Sequence, residues 1–247
     1  MNSFLKWIGG KRNLREKIIA EFPQEFKKYV EVFGGAGWVL FAREKHSNFE
    51  VFNDANSDLI NLYRCIKYHC NALEDELSDI THSREIFKDF KKQINMPGLT
   101  DIQKAARYYV LIYSSFGADV RSFATGVCNI PDKLREFKSV QERLKRVIIE
   151  NADFSQILKT YDREETLFYL DPPYFKSEKY YDEEFSFEDH KRLYEILSKI
   201  KGKFVLSYND NEFIADMYKD FNIKRIERFN NLSVCNSVYK EFIIKNF

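Results

Sequence analysis

The sequence predicts a doubly wound α/β domain with a mainly parallel sheet, and three observations carry that expectation. Short apolar runs of strand length, among them YVEVF (29–33), FEVFN (49–53) and TLFYL (166–170), alternate with longer amphipathic stretches. Strands separated by helices are what a parallel sheet with crossover connections produces. Three of the runs end in loops loaded with chemistry: Gly34, Gly35 and Gly37 after the first, Asp54 after the second, and Asp171-Pro172-Pro173-Tyr174 after the fourth. In such sheets ligands sit beyond the carboxyl ends of the strands, where the strand order reverses, so three loaded ends predict one shared site. Finally, 247 residues with 44% hydrophobic and 31% charged content suit one soluble domain, or one domain with a large insertion.

Taken in order, residues 11–22 fit a helix stopped near Pro23, and 29–33 a short buried strand. A helical stretch from Trp38 to Lys45 follows the glycines, then the strand 49–53, then helix from Asn56 onward. Residues 65–145 read as an inserted, largely helical lobe, broken at Met96-Pro97-Gly98 and carrying the loop SSFGADVRSFATG (114–126). The α/β pattern resumes with strands at 146–151, 166–170, 203–208 and 222–228, and helices at 153–159, 186–200 and 210–219. The last strand, 237–245, follows its predecessor after a loop too short for a parallel crossover, which predicts an antiparallel hairpin at the sheet edge.

Composition removes some functions. A net charge of +1 gives no global signature of a nucleic-acid binder, although Lys6, Lys11, Arg12, Arg15 and Lys17 cluster against the single acid Glu16. Such a cluster is either a solvated helix face or a local patch of nucleic-acid contacts. Cys65, Cys70, Cys128 and Cys235 lack CxxC spacing, and with four scattered histidines they suggest neither a metal site nor a disulfide framework. No apolar stretch reaches membrane-spanning length and no signal-peptide pattern opens the chain, so the expectation is an intracellular, reduced protein with no membrane partner.

The glycines of EVFGGAGWVLF (31–41) allow a sharp strand-to-helix turn and close approach of a ligand to the backbone. They do not complete a dinucleotide fingerprint, because Leu40 holds the third glycine's place. Asp54, about twenty residues further on, is placed to accept from ribose hydroxyls or to cap the helix beginning near Asn56. In LDPPY (170–174) an aspartate precedes two prolines that have no N–H, so a carboxylate and backbone carbonyls stand unmasked on a stiff stem. Acceptors beside the Tyr174 ring suit a planar partner carrying an exocyclic amine, that is, a nucleobase; the alternative is a strand terminator with a polar cap.

These segments, in this order, resemble the bacterial and phage DNA adenine methyltransferases of the Dam type, in the alpha arrangement of amino-methyltransferases. The match runs through FLKWIGGKRNL (4–14), YVEVFGGAGWVLF (29–41), NDANSDLINLY (53–63), NADF (151–154) and LDPPY (170–174). The resemblance implies a Rossmann-like methyltransferase sheet with a helical target-recognition insertion. Residues 1–64 and 146–247 would form the catalytic part and 65–145 the recognition part. It implies that Trp7, Lys11, Phe33, Gly34, Gly35 and Gly37 line an S-adenosyl-L-methionine site with Asp54 on the ribose, Asp153 on the adenine amine and Phe154 beside its ring. Asp171 and the Pro172 carbonyl would accept from the target amine, and Tyr174 would stack on a base flipped out of double-stranded DNA. In the insertion Arg121 matches a base-reading arginine, with a surface salt bridge as its alternative. Ser114, Ser115 and Phe116 are further contact candidates, Phe116 as a wedge, and Arg12 is a phosphate contact. Residues around Arg121 depart from the pattern associated with GATC, so that target is not carried over.

The resemblance further implies a monomer in the cytoplasm of a bacterial or phage-infected cell, needing no metal. With no nuclease or helicase segment in the chain, the protein would be at most the modification half of a restriction system. Amino-methylation of cytosine, RNA or a protein glutamine is the competing enzymatic reading. A DNA-binding regulator without catalysis is disfavoured by intact Asp54, Asp171 and Tyr174, and a nicotinamide dehydrogenase by the incomplete glycine fingerprint.

Overall fold

The computed structural model describes residues 1–126, 130–175, 185–229 and 238–247. Cys128, Cys235 and the loop between the last two strands lie outside the described residues. The strands are β1 (Lys28–Glu31), β2 (Phe49–Asn53), β3 (Val147–Glu150), β4 (Thr166–Leu170), β5 (Lys203–Asn209), β6 (Asn222–Phe229) and β7 (Val238–Lys245). They form one sheet in the order β3-β2-β1-β4-β5-β7-β6. The first five strands run parallel, and β7 is antiparallel to both β5 and β6. The expected terminal hairpin is present, with β6 outermost and β7 inside it. The order reverses between β1 and β4, so their carboxyl ends flank the crevice where doubly wound sheets hold ligands.

The core has two layers because successive side chains on a strand face opposite ways. On β4, Leu167 and Tyr169 enter one cluster while Phe168 and Leu170 enter the other. The first layer is built by α1 (Arg15–Ile19), α2 (Ser57–Ser78), α3 (Arg84–Gln93), α4 (Asp101–Ser114), α5 (Ile130–Lys133) and α6 (Phe137–Leu144). The second is built by α7 (Phe154–Tyr161), α8 (Phe187–Leu197) and α9 (Glu212–Met217). Helices α2, α4 and α6 pack together and share their buried residues with the sheet. The Tyr113 hydroxyl at the end of α4 donates to the Phe4 carbonyl, tying that layer to the amino-terminal segment.

Two elements differ from expectation. Helical turns do run from Lys11 to Phe22, but only Arg15–Ile19 is regular helix. Between Trp38 and Lys45 there is a single 3-10 turn, Leu40–Ala42, after which Arg43 is extended. The reason is a distant guanidinium: Arg143 of α6 donates to the carbonyls of Leu40 and Arg43, oxygens that a longer helix would have used internally. Arg143 also grips buried Glu50 of β2 through two bonds of 2.7 and 2.9 Å. Among the described residues no helix is long and apolar enough to cross a membrane.

Candidate active site

A cleft opens at the switch point, lined by Trp7, Lys11, Phe33, Gly34, Gly35, Asp54, Asp171, Pro172 and Tyr174 among the residues expected there. The glycine loop is shaped by packing as well as by ligand access. Gly35 and Gly37 hold left-handed backbone, with φ of +49° and +66°. A Cβ on Gly34 would fall 2.3 Å from the Phe52 ring, and one on Gly35 2.9 Å from the Trp7 indole nitrogen. Glycine is needed on both counts.

Asp54 holds this loop in place. Its carboxylate accepts the Gly35 amide at 2.8 Å and the Asn56 amide at 2.9 Å. Asn56 rather than Asp54 caps α2, accepting from the amides of Asp58 and Leu59. Asp54 therefore faces the cleft with each oxygen already oriented by one backbone amide and still able to accept from a diol.

Asp171 leaves β4 into the middle of the cleft. Its Oδ1 accepts from the Ser207 hydroxyl at 2.8 Å and meets the Lys11 ammonium at 2.8 Å. Lys11 is 4% exposed and lies 4.6 Å from the centroid of the Tyr174 ring. Lys11 thus lines the cleft and is not part of a solvated helix face. Burial pushes the Asp171 pKa above the ordinary range against the pull of Lys11, and the charge of Glu241 adds to the rise. Tyr174 is anchored by its hydroxyl, which donates to Glu241 Oε2 at 2.8 Å.

Glu31, at the end of β1, is also in the cleft wall and is 1% exposed. Burial pushes its carboxyl up to about 8, opposed by a hydrogen bond from the Tyr29 hydroxyl. Sequence reasoning passed over Glu31, Ser207 and Glu241. An acid inside the apolar run YVEVF was a signal for the first, whereas nothing local marks a serine on β5 as a partner of Asp171.

Other expected residues lie elsewhere. Asp153 and Phe154 do not line this cleft: Asp153 caps α7 and pairs with Arg192 at 2.9 Å. Phe154 packs at 5.6 Å on Phe33, which does line the cleft, and the Arg192 guanidinium covers it at 4.4 Å. Arg12 is exposed beside Trp38. At the loop after α4, Phe116 is 75% exposed and Arg121 is exposed. Ser114 and Ser115 are buried; Ser115 donates to the Ile112 carbonyl and accepts the Val120 amide. Asp119 stays below the usual carboxylate range although burial opposes it, because the amides of Arg121 and Ser122 and the Arg121 charge favour its ionised form. Ala118 and Val120 have φ of +64° and +58°, left-handed backbone that is costliest for the β-branched Val120.

A mostly parallel sheet wound in this order, with a cleft at its switch point and an antiparallel edge pair, is consistent with a Rossmann-like methyltransferase. Comparison by sequence narrows the class: a family model described as D12 class N6 adenine-specific DNA methyltransferase matches residues 7–232, and the chain belongs to that family. Type II methyltransferase M1.LlaDCHI of Lactococcus lactis subsp. cremoris is 30% identical, with 92% of this chain and 88% of that one covered. Type II methyltransferase M.MjaIII of Methanocaldococcus jannaschii is 30% identical over 90% of each. A DNA adenine methylase of Haemophilus influenzae is 24% identical, covering 91% of this chain and 85% of its own. The protein is thus an enzyme that methylates the N6 amino nitrogen of adenine in DNA.

Proposed function

We propose that the switch-point cleft binds S-adenosyl-L-methionine and a flipped adenine side by side, and that Asp171, Pro172 and Tyr174 hold the base. The observation that carries this reading is Lys11: its N–H-bearing cation sits on Asp171 Oδ1 and over the Tyr174 ring, the two contacts a target amine requires. The donor set fits the cofactor, since acids and rings wall the cleft, as suits a cationic ligand with a ribose and a planar base. S-adenosyl-L-methionine would supply an electrophilic methyl group: the adenine nitrogen's lone pair would form the N–C bond, the S–C electron pair would stay on sulfur, and the surplus amine proton would pass to water.

In this reading Asp54 takes the ribose, and Trp7, Phe33, Gly34 and Gly35 form the walls, with Gly37 turning the loop behind them against Phe41 and Phe52 and Phe154 supporting Phe33. Asp153 orients α7 beside the cofactor's base. The lone pair of the adenine amine is delocalised into its ring. Asp171 and the Pro172 carbonyl accept the amine's protons and favour a pyramidal, more nucleophilic nitrogen in the transition state. Extrusion costs a few kcal/mol, and stacking on Tyr174, worth roughly 1–3 kcal/mol, offsets much of it.

Residues 65–145 contribute target recognition, with the catalytic residues supplied by 1–64 and 146–247. The loop after α4 presents Phe116 as a wedge and Arg121 as the planar fork that reads a base edge, Ser115 bracing the loop from within. Arg12 meets phosphate, and the enzyme acts as a monomer on duplex DNA. Asp171→Ala should abolish methyl incorporation into unmethylated bacterial genomic DNA while cofactor binding, measured by calorimetry, survives. Substantial residual turnover would remove Asp171 from its assigned role.

A further inference from the structure

We propose that Glu241 is a positioning residue for methyl transfer, anchoring Tyr174 by its hydroxyl and receiving the Lys11 ammonium when the target amine takes Asp171. This rests on the assignment of Asp171 and Tyr174 to the target base.

Glu241 lies on β7, opposite Asn209 of β5, and is 3% exposed among hydrophobic neighbours Phe242, Ile243 and Ile244. A carboxylate is expensive to bury unless it is paired and hydrogen-bonded. Here its Oε2 accepts the Tyr174 hydroxyl at 2.8 Å and lies 3.9 Å from Lys11 Nζ. The first contact fixes the ring. The Pro172-Pro173 stem sets where the Tyr174 backbone stands, but the ring still turns about two side-chain torsions. A buried, charge-assisted bond from its far end removes that freedom before the base arrives.

The second contact solves a problem of occupancy. Lys11 is 2.8 Å from Asp171 and hangs over the Tyr174 face, so it stands where the base and its amine must go. A buried ammonium cannot simply be left without a counter-charge. Glu241 offers one about a bond length further along, and an ammonium has three donors with which to move from one carboxylate to the other. Asp171 then becomes available to the amine while the charge of the cluster is unchanged.

Three substitutions separate these tasks in single-turnover assays with labelled S-adenosyl-L-methionine and unmethylated bacterial genomic DNA. Glu241→Leu removes both contacts and should slow transfer about tenfold or more, the scale of a lost charge-assisted bond. Glu241→Gln keeps an acceptor for Tyr174 but drops the charge, and Tyr174→Phe does the reverse; each should slow transfer several-fold. In the Glu241→Leu background Tyr174→Phe should have almost no further effect, because the bond it removes is already gone. The dissociation constant of the cofactor should stay within about twofold throughout, a split between binding and rate that general loosening of the fold would not give.

Parental rates for Glu241→Leu overturn the proposal. A full Tyr174→Phe effect in that background overturns the anchoring, and a parental rate for Glu241→Gln overturns the transfer of Lys11. If Glu241→Leu does not fold, the other two variants decide both points singly, a parental Tyr174→Phe rate overturning the anchoring. Full turnover by Asp171→Ala overturns the reading of the base site itself. An inactive Asp171→Ala beside a parental Glu241→Leu removes only the role of Glu241.

Discussion

Glu31 shows how a single side chain couples the core to the cleft. Burial favours the neutral form and pushes its carboxyl up to about 8, against about 4.3 for an ordinary glutamate. Around it stand Tyr29, Asp171 and Arg143, with only the last favouring ionisation by its charge. The sign follows: the folded state holds the proton more tightly, so the stability Glu31 contributes is complete below its unfolded pKa and is lost as pH rises through about 8. The parent should therefore lose denaturant resistance between about pH 5 and 9 relative to Glu31→Gln, whose side chain cannot ionise. Identical pH profiles for the two proteins would mean that the carboxyl ionises freely. The residues legible in the sequence, Asp171, Tyr174 and Asp54, are those whose local motif announces their chemistry. Glu31 and Glu241 are acids in apolar strands, and their direction is fixed by neighbours far along the chain.

Among the elements, α6 has a task that its length does not suggest. Through Arg143 it closes the 3-10 turn after the glycine loop and neutralises Glu50 inside the sheet. Both partners are nearly inaccessible, at 5% and 4% exposed. Removing one partner of such a pair leaves a buried charge, so Arg143→Met should cost about 3–5 kcal/mol in chemical denaturation. Because the same guanidinium braces the segment behind Gly37, the variant should also bind S-adenosyl-L-methionine more weakly. A loss below about 1 kcal/mol would place the pair with ordinary surface bridges. This contact also explains why Trp38–Lys45 reads as helix and does not form one: local periodicity cannot register carbonyls claimed by a residue a hundred positions away. Strands were more legible, since a run such as TLFYL, buried on both faces, has few alternatives.

At the scale of the whole molecule, the sheet order and the separation of its two layers follow from patterning, and the shared site followed from three strand ends facing one way. What patterning left open was how the helices of 65–145 sit, because amphipathic faces do not say which partner they cover; here they share the core beneath the sheet. A net charge of +1 means that attraction to DNA rests on local groups rather than on the overall field. Arg12→Ala should weaken DNA binding equally for all sequences and reduce the slope of log affinity against log salt by about one, as loss of one phosphate contact does. An unchanged slope would assign Arg12 to its Trp38 contact alone. The placement of β7 between β5 and β6 has one more consequence, in time. The Tyr174 hydroxyl waits for a carboxylate made 67 residues later. At about 5–20 residues per second a ribosome spends several seconds in that gap. Throughout it the nascent chain has the Asp171–Tyr174 loop but not the carboxylate that its ring will bond.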